Sequence, residues 1–349
     1  MTDWKALRDR HDGGGMYARV AGMAAQMRDA WSIGAAFAER LAPVPCRQVV
    51  VCGMGGSAIG GDLARAFLGD RLRAPLLVCR DYRAPAWARD GALVVVSSYS
   101  GNTGETLSAF ASLSGGDSRF VAVSSGGRLE ELCREGDVPL CRIPGGMPPR
   151  AAIGYSLLAT LHLLRATGVA SFADDEYEEA LRAVEARVQE CAIEAPGNIA
   201  MEIAQAVHGK LPLVYAGPGL LEAIARRWAG QINENAKSLA HIALYPELNH
   251  NEIVGWHAPE ALVRDAVVLS LEDDDDHEMT RRQTEVGLSI VSGVARRVIR
   301  MRAGTGGRLA RMLSLLVLGD FVSVYLAYLN GVDPTPVEKI DYLKRQLAR

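Results

Sequence analysis

Short apolar runs alternate with longer segments of helical periodicity along the first half of the chain. The runs are bounded by glycine, serine, proline or charged residues, as expected of strands that are buried on both faces. The predicted strands of this half are Gln48–Cys52, Leu76–Arg80, Leu93–Ser97, Phe120–Ser124 and Leu140–Ile143. Buried strands that alternate with helices predict a parallel sheet covered by helices on both faces.

The second half repeats this pattern in weaker form. A strand at Leu211–Ala216 is followed by the glycine turn Gly217–Gly219 and a helix that runs to about Ala240. Two more apolar runs, at Ala266–Leu271 and Arg297–Met301, predict further strands. The repeat indicates a second domain of the same type.

A segment rich in Glu, Asp, Ala and Arg, Ala173–Glu194, carries no strand signal and predicts a solvated helix that joins the halves. We therefore predict an α/β protein of two tandem domains, each a doubly wound, flavodoxin-like parallel sheet. The predicted limits are 1–170 for the first domain, 171–195 for the connecting helix, and 196–349 for the second domain with the C-terminal helix.

Two segments of unusual composition lie in the second half. Met312–Val332 is strongly apolar but contains Asp320 and Asn330, which predicts a helix buried in a core or interface rather than in a membrane. The acidic run Glu272–Glu278 predicts a solvated loop, and a metal site is the less favoured alternative.

Composition is that of an ordinary globular protein. Of its 349 residues, 49% are hydrophobic, and 38 basic side chains stand against 41 acidic ones, which argues against a nucleic-acid platform. The six cysteines form no CxxC pair, so neither a disulfide framework nor a zinc site is indicated. The N-terminus lacks the apolar region of a secretory signal, and we expect a cytoplasmic protein with no membrane partner.

The first glycine-rich loop follows the strand Gln48–Cys52 and opens a helix. Its sequence, Gly53-Met-Gly-Gly-Ser57-Ala-Ile-Gly60, lets backbone amides approach an anion at a helix N-terminus. The same residues also fit the dinucleotide pattern GxGxxG/A, with Asp81 as a ribose-binding acid after the next strand. This loop alone leaves a nicotinamide dehydrogenase open as an alternative.

The second loop favours a phosphate monoester. In Ser98-Tyr-Ser100-Gly-Asn-Thr103, three hydroxyls stand on one strand-to-helix turn, where they and the adjacent amides can surround three phosphate oxygens. An ordinary helix N-cap needs only one such hydroxyl. The sequence also lacks the GxxxxGK[ST] lysine of a nucleoside triphosphatase.

Four motifs together, GMGGSAIGGDL, SSYSGNTGET, NENAKSLA and NHNEIVGW, resemble the bifunctional phosphoglucose/phosphomannose isomerases of the sugar isomerase (SIS) fold. The resemblance extends from Gly53 to Lys344 with the motifs in the family's order. It implies two tandem SIS domains, a homodimer, and an intramolecular oxidoreductase of glycolysis and gluconeogenesis. It also implies an aldose–ketose isomerase that works through a cis-enediol without a metal or other cofactor.

The resemblance also implies roles for single residues. Arg150 matches the family's active-site arginine, Glu234 its catalytic base, His250 its ring-opening histidine, donated across the dimer interface, and Lys344 its C-terminal active-site lysine. The matches to its phosphate-binding positions are Gly56, Ser57, Ser98, Ser100 and Thr103. The family's substrate-discriminating threonine falls nearer Val337 than Thr335, which leaves the balance between glucose and mannose 6-phosphate open.

Apart from the resemblance, these residue types also suit an aldose–ketose isomerisation. A carboxylate whose pKa rises as water is excluded can move a proton between C1 and C2, and a guanidinium holds the negative enediolate. A histidine and a lysine can open a cyclic sugar. Two alternatives stay open beside the dehydrogenase: another SIS activity, such as hexulose-phosphate isomerisation or sugar-phosphate deamination, and a non-catalytic sugar-phosphate sensor.

Overall fold

The computed structural model of the protein describes residues 2–347. Its strands are β1 (Gln48–Cys52), β2 (Leu76–Cys79), β3 (Ala92–Ser97), β4 (Arg119–Ser124), β5 (Leu140–Arg142), β6 (Leu211–Ala216), β7 (His241–Leu244), β8 (Ala266–Glu272) and β9 (Arg297–Arg302). Its helices are α1 (Trp4–His11), α2 (Met16–Ala21), α3 (Met23–Ala38), α4 (Gly55–Leu68), α5 (Gly104–Ser112), α6 (Gly127–Glu135), α7 (Ile153–Ala166), α8 (Asp174–Glu190), α9 (Ile199–Val207), α10 (Leu220–Ala236), α11 (Glu252–Gly255), α12 (Glu260–Val263), α13 (Glu278–Val291), α14 (Arg308–Leu329) and α15 (Glu338–Leu347).

Residues 22–181 form one compact unit around a five-stranded sheet. All of its strand pairs are parallel and the order is β2-β1-β3-β4-β5, the flavodoxin-like order. Every residue of β3 is buried, because helices cover both faces of the sheet. The α/β class and the five strands predicted for this half are confirmed.

The order of this sheet reverses between β1 and β3, which are neighbours. The chain leaves the carboxyl end of β1 into α4 and the carboxyl end of β3 into α5. In doubly wound sheets, a crevice opens where the strand order reverses, at the carboxyl ends of the strands. The topology therefore brings the two predicted phosphate loops to one edge of the sheet.

The described residues within 1–21 and 182–349 form the second compact unit. Its parallel sheet has the order β7-β6-β8-β9, the same pattern with one strand fewer. Within this unit, α1 and α2 pack on α14, with Trp4 against Tyr325 at 5.2 Å and Tyr17 against Phe321 at 5.7 Å between ring centroids. The domain limits at 170 and 195 remain predictions, since compactness does not by itself define where a domain begins.

Helix α14 is the core of this second unit. By length and composition it is the one helix of the described residues that meets the criteria for a membrane span. All but three of its residues are buried within the unit, mainly against α9 and α10. This burial agrees with the predicted core helix.

The structure differs from the sequence predictions in three places. Strand β7 was not predicted, because its edge position leaves His241 exposed and weakens the apolar signal. Helix α10 ends at Ala236 rather than near Ala240, since Lys237 adopts the left-handed conformation. In the acidic run, Asp273 is buried and pairs with Arg311 at 3.2 Å, so the run is solvated only in part.

Candidate active site

The two predicted phosphate loops are joined by a direct hydrogen bond. The Ser57 hydroxyl, in the first turn of α4, accepts a bond from the Tyr99 amide at 3.1 Å. Ser57 is 6% exposed, and its position in the first loop is therefore fixed by the backbone of the second. The structure thus brings the glycine loop and the hydroxyl loop together, as the sequence predicts.

Hydroxyl groups are organised within the second loop. The buried Ser98 donates to the Thr103 hydroxyl at 3.0 Å, and the exposed Ser100 hydroxyl accepts from the Asn102 amide at 3.2 Å. Thr103 is the N-cap of α5, but its side chain makes no capping bond, and α4 also begins without one. In α4 the Ser57 amide already bonds the Met54 carbonyl oxygen at 3.1 Å, but no side chain caps either helix, which suits an anion at these N-termini.

Arg150 lies directly against the glycine loop. A Cβ atom on Gly56 would stand 2.7 Å from the Pro149 carbonyl oxygen, which is closer than real Cβ contacts. Only glycine therefore allows the short helical turn Pro149–Ala151 to pack here. Arg150 is 5% exposed, so its guanidinium is held in a largely dry position, and its backbone lies beside the first loop.

Two residues that the sequence analysis missed support this arrangement. The Gln26 side-chain amide donates to the Ala151 carbonyl at 2.8 Å and accepts from the Gly154 amide at 2.7 Å, which fixes the end of the turn Pro149–Ala151 and the start of α7. The Tyr99 hydroxyl accepts a bond from the Met147 amide at 3.0 Å. Tyr99 stands inside the SSYSGNT motif and could have been singled out, whereas nothing in the sequence around Gln26 marks it.

Glu234 lies in the last turn of α10 and is half-buried. Its neighbour Asn235 is fully buried and donates to the Ser323 hydroxyl of α14 at 2.9 Å. On the other side, Lys237 Nζ donates to the Glu234 carbonyl oxygen at 2.8 Å and to the Pro334 carbonyl oxygen at 3.1 Å. The end of the helix that carries the predicted base is thus held by specific bonds within its own unit.

His250 and Lys344 lie on two other elements of the same unit as Glu234. His250 ends a short 3₁₀ turn after β7, and its side chain is exposed. Lys344 lies in the last turn of α15, a helix without buried residues. Each of these three predicted residues therefore stands on an element of its own.

The structure also shows where the residue of the dinucleotide alternative lies. Asp81, the alternative ribose-binding acid, is exposed after β2 and accepts a hydrogen bond from the Tyr82 amide at 2.6 Å. Among residues 2–347, no group of three or more His, Cys, Asp or Glu side chains is arranged to hold a metal ion.

Comparison with known proteins agrees with these motifs. Residues 197–347 match the model of the bacterial phospho-glucose isomerase C-terminal SIS domain. The bifunctional phosphoglucose/phosphomannose isomerase of Caldicellulosiruptor bescii is 39% identical over 335 residues, which cover 95% of this chain and 99% of the relative. The protein of the same name from Aquifex aeolicus is 37% identical, over 87% of this chain and 92% of the relative.

The fold is also found in solved structures. A hypothetical protein of Thermus thermophilus superposes with a TM-score of 0.71 and 15% sequence identity, over 99% of this chain and 93% of that chain. The motifs, the sheet order and the identity over nearly the whole length agree, and the chain belongs to the bifunctional phosphoglucose/phosphomannose isomerase family.

Proposed function

We propose that the protein interconverts glucose 6-phosphate and mannose 6-phosphate with fructose 6-phosphate by proton transfer, without a metal ion. The observation that carries the proposal is the bond between Ser57 and the Tyr99 amide, which joins two hydroxyl-bearing loops at the reversal of the five-stranded sheet. A sugar 6-phosphate supplies the tetrahedral anion that these loops suit.

The loops hold the phosphate through hydroxyls and helix amides. Ser57, Ser98, Ser100 and Thr103 supply hydroxyls, and Gly56 supplies a backbone without a side chain. The proposed role of this anchor is to fix C1 and C2 of the sugar at a constant distance from the phosphate. Binding energy from the non-reacting phosphate then offsets the cost of orientation at the reacting carbons.

Glu234 is the proposed base. Its carboxylate takes the proton from C2 of the open-chain aldose, which gives a cis-enediolate, and returns the proton to C1 to form the ketose. Arg150 is the proposed partner of the negative enediolate oxygen, because a guanidinium keeps its charge at working pH. Deprotonation removes the C2 stereocentre, so both aldoses share this intermediate.

Ring opening precedes proton transfer. In the proposed mechanism, His250 takes the proton of the C1 hydroxyl while Lys344 assists protonation of the ring oxygen. The exposure of His250 within its own chain fits a residue that a homodimer donates across its interface. We place the enzyme in the cytoplasm, in glycolysis and gluconeogenesis.

Deuterium incorporation tests the proton-transfer route. In D₂O, the protein and fructose 6-phosphate are expected to yield glucose 6-phosphate and mannose 6-phosphate that carry deuterium at C2, detected by NMR, because the proton on Glu234 exchanges with solvent. Products still free of deuterium at C2 after many rounds of interconversion would mean that the transferred hydrogen never exchanges with solvent, as in hydride transfer, and would contradict the proposal. Absence of any product would favour a sugar-phosphate sensor or another SIS activity.

A further inference from the structure

We propose that Tyr215 is a positioning residue for His250 and acts through Glu252. The Tyr215 hydroxyl, at the carboxyl end of β6, donates a hydrogen bond to Glu252 Oε1. Glu252 lies two residues after His250 and begins helix α11. The bond therefore ties the segment that carries His250 to a central strand of its sheet.

A second side chain donates a hydrogen bond to the same tyrosine hydroxyl. Trp256 Nε1 donates to the Tyr215 hydroxyl oxygen at 2.9 Å, so that tryptophan, tyrosine and carboxylate form one chain of bonds. Tyr215 is fully buried and Trp256 is 8% exposed. Hydrogen bonds to a charged acceptor are strong when buried, and burial, followed by the bond to Glu252, raises the pKa of Tyr215 and keeps it a donor.

Two further hydrogen bonds hold the residues on either side of His250. Asn249 Nδ2 donates to the Gln283 carbonyl oxygen on α13 at 3.1 Å, and Asn251 Nδ2 donates to Glu247 Oε1 at 3.0 Å. His250 thus stands between one anchor on α13 and another on β6. Its side chain extends to solvent while its backbone is fixed on both sides.

The position of His250 matters because the proposed function gives this residue a role in ring opening. The inference rests on that proposed role. An exposed histidine on a short turn would otherwise lose conformational entropy each time it reached the sugar. A misplacement of about 1 Å at a catalytic group can cost on the order of 100-fold in rate. Fixing the turn before substrate binds avoids this loss.

The chain supplies a matched control for Tyr215. Tyr245 lies in the same apolar cluster, 1% exposed, with its ring 6.0 Å from that of Tyr215. Its hydroxyl has no hydrogen-bond partner among the described residues. Tyr215→Phe and Tyr245→Phe therefore make the same chemical change in the same core, and only the first removes the bond to Glu252.

The test measures anomerisation of glucose 6-phosphate by NMR exchange, which reports ring opening alone. We expect Tyr215→Phe to slow anomerisation roughly 10-fold, Tyr245→Phe to leave it near the parent rate, and Glu252→Gln, which keeps an oxygen acceptor, to lose less than Glu252→Ala. In a His250→Ala background, Tyr215→Phe should cause no further loss. Thermal unfolding of each variant identifies those that remain folded at the assay temperature.

Equal rates for Tyr215→Phe and Tyr245→Phe would overturn the positioning role. The same fold-loss from Tyr215→Phe with and without His250 would also overturn it, because the tyrosine would then act independently. An unchanged anomerisation rate in His250→Ala would overturn the ring-opening role of His250 and this inference with it. That outcome is distinguishable from failure of the isomerase proposal, which is measured by product formation.

Discussion

The Arg227 guanidinium on α10 donates two hydrogen bonds to the Asp320 carboxylate on α14, from Nε at 3.0 Å and from Nη2 at 2.7 Å. Both side chains are buried, and Gln231 adds a third bond to the carboxylate at 2.9 Å. Burial raises the pKa of Asp320, and the guanidinium opposes that rise. The pair links the helix that carries Glu234 to the core helix of its unit.

Removing one partner of this pair should destabilise the protein strongly. Asp320→Ala leaves the guanidinium of Arg227 buried without its carboxylate, which costs about 3–5 kcal/mol of unfolding free energy. The double variant Arg227→Met/Asp320→Leu removes both charges and is expected to recover most of this loss. Denaturant unfolding measures both, and a double variant no more stable than Asp320→Ala would contradict the account.

Gly56→Ala should weaken substrate binding. The added Cβ would stand 2.7 Å from the Pro149 carbonyl oxygen, so the Arg150 turn or the phosphate loop must shift. We expect KM for fructose 6-phosphate to rise about 10-fold or more, since phosphate and guanidinium contacts are displaced together. Steady-state kinetics measures this.

Gly230→Ala is the control for that substitution. A Cβ on Gly230, in the interior of α10, would meet nothing within 4 Å. It should stabilise the helix by about 0.5–1 kcal/mol and leave KM unchanged. If Gly56→Ala retained the parent KM as well, the close packing around Gly56 would be irrelevant to binding.

Acid should destabilise the unit of residues 22–181 through His162. This side chain is fully buried beside Trp31, and burial, helped by Arg165, lowers its pKa from 6.5 to about 4. The unfolded chain therefore binds more protons between these values. The contribution of His162 to the unfolding free energy is fully present above pH 6.5. It is lost as pH drops toward 4, by roughly 3 kcal/mol in total.

His162→Leu removes this titration. The expected result is a smaller fall in unfolding free energy between pH 7 and pH 4.5 than in the parent protein, measured by denaturant unfolding at both pH values. The same fall in parent and variant would show that His162 does not contribute to acid sensitivity.

Sequence patterns predicted the regular parts of the fold closely. The strand Leu211–Ala216 forms with the predicted limits, because a buried strand bounded by turn residues has a strong local signal. Strand β7 was not predicted, because an edge strand with half-exposed residues has no such local signal. The end of α10 at the left-handed Lys237 could not be predicted from residue propensities either, because no glycine marks this position.

The site residues also fall into those that the sequence predicted and those that it did not. Motif residues such as Ser57 and Ser98 could be named from their spacing in the chain. Gln26 and Tyr215 could not, since each acts through bonds to residues far away in sequence, Gln26 to Ala151 and Tyr215 to Glu252. Such partners become visible only when the fold brings them together.

We propose that Glu234 moves a proton in a metal-independent dual isomerase. The most direct test incubates EDTA-treated protein and its Glu234→Gln variant with fructose 6-phosphate and follows glucose 6-phosphate and mannose 6-phosphate separately. We expect both products from the parent protein, and from the Glu234→Gln variant an isomerisation rate lower by at least about 1,000-fold with substrate binding retained. Isomerisation by Glu234→Gln at a rate near that of the parent, or no activity of the parent after EDTA treatment, would contradict it.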